Sequence, residues 1–216
     1  MQNTFPSLNS LKLNPYRPTL ICDADQVIFD FMYDFQNFLK IKKLFFNWKS
    51  YALTSNILKN DNSSLNEEEI KELINNFFKK FTLKMTVIRG SIKTLNKISK
   101  YFNIVVLSNI PFEYYDLRLN ALNNNNLNFP FFANKGEKGT ASSHIFNFNK
   151  NQTWFIDDSP FQVSSVIKKE PNIKTILFIE NTKLAKLIKN KNNCDFYSTS
   201  WLKNEKILLN QFLKYD

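Results

Sequence analysis

The sequence predicts an α/β protein: a parallel sheet with helices on both faces and a mostly helical insertion after its first strand. Three observations predict it. Residues 19–22 are an apolar run bounded upstream by Pro18 and closed by Asp23-Ala24-Asp25, which reads as a buried parallel strand with acids at its carboxyl end. From Val87 onward, short apolar runs alternate with helical periodicity, as right-handed βαβ units require. Between them, the largely helical stretch 30–85 is too long for a single crossover, so it reads as an insertion over the carboxyl edge of the sheet.

Composition sets the limits. The 216 residues suffice for one ordinary domain with an insertion, and 43% hydrophobic content with 22 Phe supports a large aromatic core. The net charge of +10 admits an acidic partner such as nucleic acid. The stronger reading is bland: Lys, Asn, Ile and Phe are abundant and Gly and Ala scarce, as in translation from an AT-rich genome, and the lysines are scattered without a basic block. Cys22 and Cys194 have no metal-ligand spacing, and Cys22 is expected to be a small buried thiol. With no leader-like N-terminus and no apolar run of membrane-spanning length, a soluble, cytoplasmic protein in a reducing compartment is expected.

Residues 1–17 are polar with scattered prolines and are expected to cross the surface. Phe31, Phe35, Phe38 and Leu39 put a helix within 27–43, and 44–59 is expected to be short helices and loop around Trp48 and Tyr51. Ser64 and Glu67 have capping-box spacing, ahead of a stripe of Ile70, Leu73, Ile74, Phe77, Phe78 and Phe81. Arg89-Gly90 opens a helix with Ile92, Leu95 and Ile98, and residues 104–107 are a strand ending at Ser108-Asn109. Pro111 starts a helix that ends in the Asn run 123–126. A short strand over 129–133, a loop over 134–139 and a helix over 140–148 follow. Residues 153–156 form a strand ending at Asp157-Asp158, and Ser159-Pro160 starts the next helix. A strand over 173–179 and helices over 182–189 and 201–213 complete the chain.

The chemistry collects at strand ends. Asp23 and Asp25, then Ser108 and Asn109, then Asp157 and Asp158 each follow an apolar strand, and a glycine-flanked lysine lies between the second and third sets. In a parallel sheet all of these face one edge, where open α/β sheets bind ligands. Clustered carboxylates repel one another unless a cation sits among them, and hard oxygen donors suit Mg²⁺. A carboxylate can attack phosphorus, a second can serve as acid and base, and lysine and hydroxyl groups stabilise the phosphoryl oxygens.

In this order the motifs Asp-x-Asp-x-Val, Ser-Asn, Lys and Asp-Asp resemble those of the haloacid dehalogenase (HAD) superfamily over residues 18–190. The resemblance implies a Rossmann-like core of strand order 3-2-1-4-5, built from 1–29 and 86–216, with a C1-type helical cap over 30–85. It implies a Mg²⁺-dependent phosphomonoester hydrolase acting on a small phosphorylated metabolite or nucleotide. Asp23 would be the nucleophile and Asp25 the general acid/base, its main-chain carbonyl also on the metal. Ser108 and Asn109 would meet the phosphoryl group, and Asp157 and Asp158 would complete the metal site. Lys135 and Lys138 both precede a glycine; Lys138 is favoured because Gly139-Thr140-Ala141 runs directly into a helix. Gln26 stands where relatives often have glycine, and is expected to contact substrate or cap. Asp25 argues against the dehalogenase reaction, whose enzymes lack an acid there.

The alternative is a catalytically silent protein of this fold that binds a phosphorylated ligand or a protein partner. His144, the only histidine, is expected on a solvated helix, which leaves no Ser-His-Asp chemistry. Trp48, Tyr51 and the phenylalanines of the insertion are expected to pack a core rather than stack on substrate. Ser142-Ser143 and Ser164-Ser165 are expected on helix surfaces.

Overall fold

The computed structural model describes residues 3–50, 52–149, 152–188 and 193–212, so Tyr51 lies outside the described residues. The first core strand is β2 (Thr19–Cys22); Thr4–Phe5 form a short β1 before it. All four residues of β2 are buried, and it pairs in parallel with β5 (Asn103–Ser108) on one side and β7 (Thr153–Asp157) on the other. Beyond these lie β6 (Phe131–Asn134), β8 (Lys174–Phe178) and β9 (Phe196–Ser198). The seven-stranded order is β1-β6-β5-β2-β7-β8-β9. Its five central strands, numbered along the chain, read 3-2-1-4-5. Both edge strands are additions to the sequence reading. The segment expected merely to cross the surface contributes β1, antiparallel to β6, and β9, three residues long, is too short to stand out.

Helices α3 (Ser91–Ile98), α4 (Tyr115–Asn124), α5 (Gly139–Asn149), α6 (Pro160–Lys169), α7 (Thr182–Leu187) and α8 (Trp201–Phe212) alternate with these strands. Gly90, at φ +87°, supplies the left-handed turn that starts α3. Trp201 is buried and its indole N–H donates to the Val27 carbonyl at 2.8 Å, which ties the C-terminal helix to the turn after β2.

The insertion contains α1 (Phe31–Ile41), β3 (Leu44–Phe46), β4 (Ile57–Lys59) and α2 (Glu67–Phe81). Here the sequence reading needs two corrections. The ends of 44–59 pair as an antiparallel hairpin, β3 with β4, and only the stretch between them, with a 3-10 turn at Thr54–Asn56, is the expected short helix and loop. The capping box uses Asn66 and Glu69, not Ser64 and Glu67: Asn66 Oδ1 accepts from Glu69 N and Glu69 Oε2 from Asn66 N, both at 2.8 Å. Lys59 also reaches Glu69 at 3.0 Å, so the box is anchored to the hairpin. The two helices join through phenylalanines. Phe77 packs edge-on against Phe31 and Phe35 at ring separations of 5.0 and 5.1 Å, each such pair adding about 0.5–1.5 kcal/mol beyond area burial.

The two chain passes between insertion and sheet are bonded to each other. Ile88 N donates to Ile28 O at 2.9 Å and Asp30 N to Thr86 O at 2.7 Å. The Asp34 carboxylate accepts from Thr86 N at 2.6 Å and from its hydroxyl at 3.1 Å. Burial raises the Asp34 pKa, and the Thr86 bonds oppose that rise.

Candidate active site

The carboxyl ends of β2, β5 and β7 open into a cavity of about 360 Å³ lined by Asp23, Asp25, Gln26, Ser108, Asn109, Lys138, Asp157 and Asp158 among others. Every residue the sequence reading proposed for the site therefore lies on one cavity. Parallel pairing produces this convergence: Cys22 stands beside Val106 and Ile156 in register, so the chain leaves all three strands at one level.

At the centre is Lys138, only 1% exposed. Its Nζ lies 2.6 Å from Asp23 Oδ1 and 2.7 Å from Asp157 Oδ2. The contact with Asp157 has hydrogen-bond geometry, whereas that with Asp23 is an ion pair. Burial alone would lower the lysine pKa; Asp157 and Asp23 more than reverse this and hold it ionised. Lys135 is exposed and does not line this cavity.

The loop that carries Lys138 is fixed at several points. Lys138 N donates to Gln162 Oε1 at 2.8 Å, and the Gly136 carbonyl accepts from Asn109 Nδ2 at 2.8 Å and Gln162 Nε2 at 3.2 Å. Asn109 also accepts from Asn134 Nδ2 at 2.7 Å. Ser142 and Ser165, expected on helix surfaces, are buried between α5 and α6, where Ser165 Oγ accepts from Gly139 N at 3.2 Å. His144 is exposed and stacks on Phe148.

Burial raises the Asp157 pKa to about 7, with Lys138 pulling it back and Asp23 pushing it further up. Asp157 Oδ1 accepts from Ser159 N at 2.9 Å. Asp23, Asp157 and Asp158 each bring one carboxylate oxygen within 4.8 Å of the others. An all-oxygen set of this charge, with one carboxylate pushed toward protonation, fits a hard divalent cation such as Mg²⁺. Ser108 is wholly buried, and its Oγ has no hydrogen-bond partner among the described residues, so a donor lies ready at the cavity floor. The Cys22 thiol, raised well above its ordinary pKa by burial and then by Asp23, stays protonated.

One residue escaped the sequence reading. Arg118, on α4, is wholly buried and its Nη2 meets Asp25 Oδ1 at 2.5 Å. Burial raises the Asp25 pKa, Arg118 opposes the rise and Asp23 adds to it. The available signal was position, since Arg118 falls in register with Tyr114, Ala121 and Leu122 on the inward stripe of its helix. Gln26 adopts φ +61° in the turn after β2, and its Oε1 accepts from Met32 N at 2.9 Å, satisfying a free amide in the first turn of α1.

Solved structures share this fold. A haloacid dehalogenase-like hydrolase from Streptococcus pneumoniae superposes with TM-score 0.62 at 13% identity, over 92% of this chain and 100% of that one. A HAD family hydrolase from Deinococcus radiodurans with bound phosphate and sodium gives TM-score 0.62 at 12% identity, over 91% and 97%. The chain has the HAD-like fold. A predicted phosphoglycolate phosphatase from Haemophilus somnus, at TM-score 0.60, 13% identity and coverage of 91% and 100%, has the same HAD-like fold. By sequence, residues 22–127 match a family described as "Protein of unknown function (DUF1493)". No curated protein matches. Among the described residues of this HAD-like chain, no helix is long and apolar enough to cross a membrane.

Proposed function

We propose that the protein is a Mg²⁺-dependent phosphomonoester hydrolase that acts on a small phosphorylated substrate through an aspartyl-phosphate on Asp23. The observation that carries this reading is the ionised Lys138 between Asp23 and Asp157, facing the same cavity as the unpartnered Ser108 hydroxyl. That set offers a nucleophile, a cation and a donor to one phosphoryl group, with a second carboxylate at Asp25.

Asp23, Asp157 and Asp158 would hold the Mg²⁺, which supplies charge neutralisation at the phosphoryl oxygens when bound. A carboxylate oxygen of Asp23 attacks phosphorus as the bond to the leaving oxygen breaks. Asp25, whose pKa is raised by burial, gives that oxygen a proton. It then takes one from the water that attacks the phosphorus of the aspartyl-phosphate, releasing inorganic phosphate and restoring both carboxyl groups. Lys138 and Ser108 stabilise the charge on the transferring group. The insertion, as a cap, keeps bulk water from the ester.

Phosphate release from a broad panel of monoesters, with Mg²⁺ and with chelator, tests the reading. Turnover should require Mg²⁺ and fall by about 10³-fold or more in Asp23→Asn. Absence of Mg²⁺-dependent turnover across the panel, with phosphate or its esters still binding, would leave the catalytically silent binding protein in its place.

A further inference from the structure

The cavity has two chemically different halves. Its polar residues come from the strand ends and the loops that follow them. The opposite wall is Phe31, Met32, Phe46, Leu53 and Phe78 from the insertion, with Leu184 of α7. We propose that the substrate's leaving group is compact, apolar and uncharged, an alkyl or aryl-alkyl alcohol rather than a hydroxy acid, a sugar or a second phosphate. This rests on the hydrolase reading above and adds the leaving group to it.

The argument is one of unmet partners. Lys138 is the one cation among the described lining residues, and two carboxylates already hold it. Arg118 is buried behind Asp25 and does not line the cavity. Lys183, next to Leu184, lies over the Trp48 ring at 5.2 Å and does not line it either. A carboxylate or phosphate on the leaving group would therefore be desolvated against phenyl and alkyl side chains with nothing to pair it.

Hydroxyl groups fare little better, because the amide side chains in the lining are engaged with the protein. Gln26 bonds Met32 N and Asp30, Asn109 bonds Gly136 O and Asn134, and Gln162 bonds Lys138 N and Gly136 O. Apart from Asp25, Asp158 and Ser159, the lining offers a polyhydroxy leaving group little with which to replace the hydrogen bonds it loses to water. Size points the same way: about 360 Å³ must also hold the phosphoryl group, and lies near the lower end of the roughly 300–1,000 Å³ of small-molecule sites.

Benzyl phosphate, phosphoglycolate and glucose 6-phosphate test this, because all three expel a primary alkoxide and differ mainly in what surrounds it. With Mg²⁺, kcat/KM for benzyl phosphate should exceed both others by at least about tenfold. Equal or faster turnover of phosphoglycolate or glucose 6-phosphate overturns the inference and leaves hydrolysis standing. Leu53→Arg, at a half-buried position that tolerates a long side chain, should shift the benzyl-to-glycolate ratio toward the acid by about tenfold. An unchanged ratio counts against the assigned wall. If none of the three esters turns over, hydrolysis itself has failed, and thermal stabilisation by phosphonates judges the wall alone. Benzylphosphonate must then stabilise the protein and phosphonoacetate must not; the reverse, or no stabilisation by either, overturns the inference.

Discussion

Arg118 holds Asp25 from behind. Its Nη2 lies 2.5 Å from Asp25 Oδ1, its guanidinium carbon sits 4.7 Å from the centre of the Phe29 ring, and none of its side chain reaches solvent. The Asp25 side chain keeps 17% exposure, toward the cavity. The pair thus fixes the direction of the carboxylate proposed as acid and base. Removing the arginine leaves a mostly buried acid unpaired, and Arg118→Met should destabilise the fold by about 3–5 kcal/mol. Asp25→Asn in the Arg118→Met background should recover part of that loss, since the orphaned charge is then gone. Denaturant unfolding of the four-protein cycle reads the coupling, and additive single effects would contradict the pairing.

The acidic cluster gives stability a pH dependence. In protein stripped of divalent cations, the Asp157 pKa stands at about 7, above its ordinary value of about 3.9 when unfolded. Between those values the folded state binds more protons than the unfolded one, so stability falls as pH rises from about 4 to about 7. Below that window both states are protonated, and above it both are ionised. Mg²⁺ favours the ionised pair, so its stabilising effect should be larger at pH 8 than at pH 5. Thermal melts at both pH values, with chelator and with Mg²⁺, check this; Asp157→Asn should flatten the pH slope and shrink the Mg²⁺ effect.

The legible parts of the chain are those set by local pattern. Strand ends bearing Asp23, Ser108 and Asp157 were readable because apolar runs and the βαβ rhythm place them on one edge whatever the side-chain detail. What could not be read depends on tertiary packing. Leu44–Phe46 and Ile57–Lys59 become strands by pairing with each other, and β9 forms only against β8. Ser142 and Ser165 look like surface serines in a list of residues, and are buried because α5 and α6 approach closely at Gly139. Arg118 was visible only as a charge on an apolar stripe, with no sign of which acid it would meet.

Gln26 shows the same limit at one residue. Its φ of +61° is a conformation that favours glycine, while its side chain accepts the Met32 amide at 2.9 Å. Gln26→Gly relieves roughly 1 kcal/mol of backbone strain and gives up a capping bond of similar size, so stability should change little. Gln26→Ala keeps the strain and loses the bond, and should cost about 1–2 kcal/mol. Urea midpoints for the two variants decide it. If alanine proves as stable as the wild type, the side-chain bond to Met32 contributes nothing; if alanine proves as stable as glycine, the positive φ carries no strain.

Gly139 and Gly136 flank the same lysine for different reasons, and alanine at each separates them. At Gly136, with φ +85°, an added methyl group meets nothing within 4 Å, so Gly136→Ala should cost only backbone strain, about 1 kcal/mol. At Gly139 a Cβ would stand 2.3 Å from the Ser165 carbonyl oxygen and 2.9 Å from its carbon. Those are backbone atoms of a packed helix and cannot swing aside, so α5 must move off α6. The predicted cost of Gly139→Ala is about 1–3 kcal/mol from overpacking. The greater effect should fall on activity, because Lys138 precedes Gly139 directly and its backbone N–H is held by Gln162 of α6. Separating the helices pulls Nζ out of the 2.6 and 2.7 Å contacts that place it between Asp23 and Asp157. Mg²⁺-dependent phosphate release should therefore fall much further in Gly139→Ala than in Gly136→Ala at temperatures where both remain folded. Equal activity in the two variants would mean that the helix contact does not set the position of the lysine.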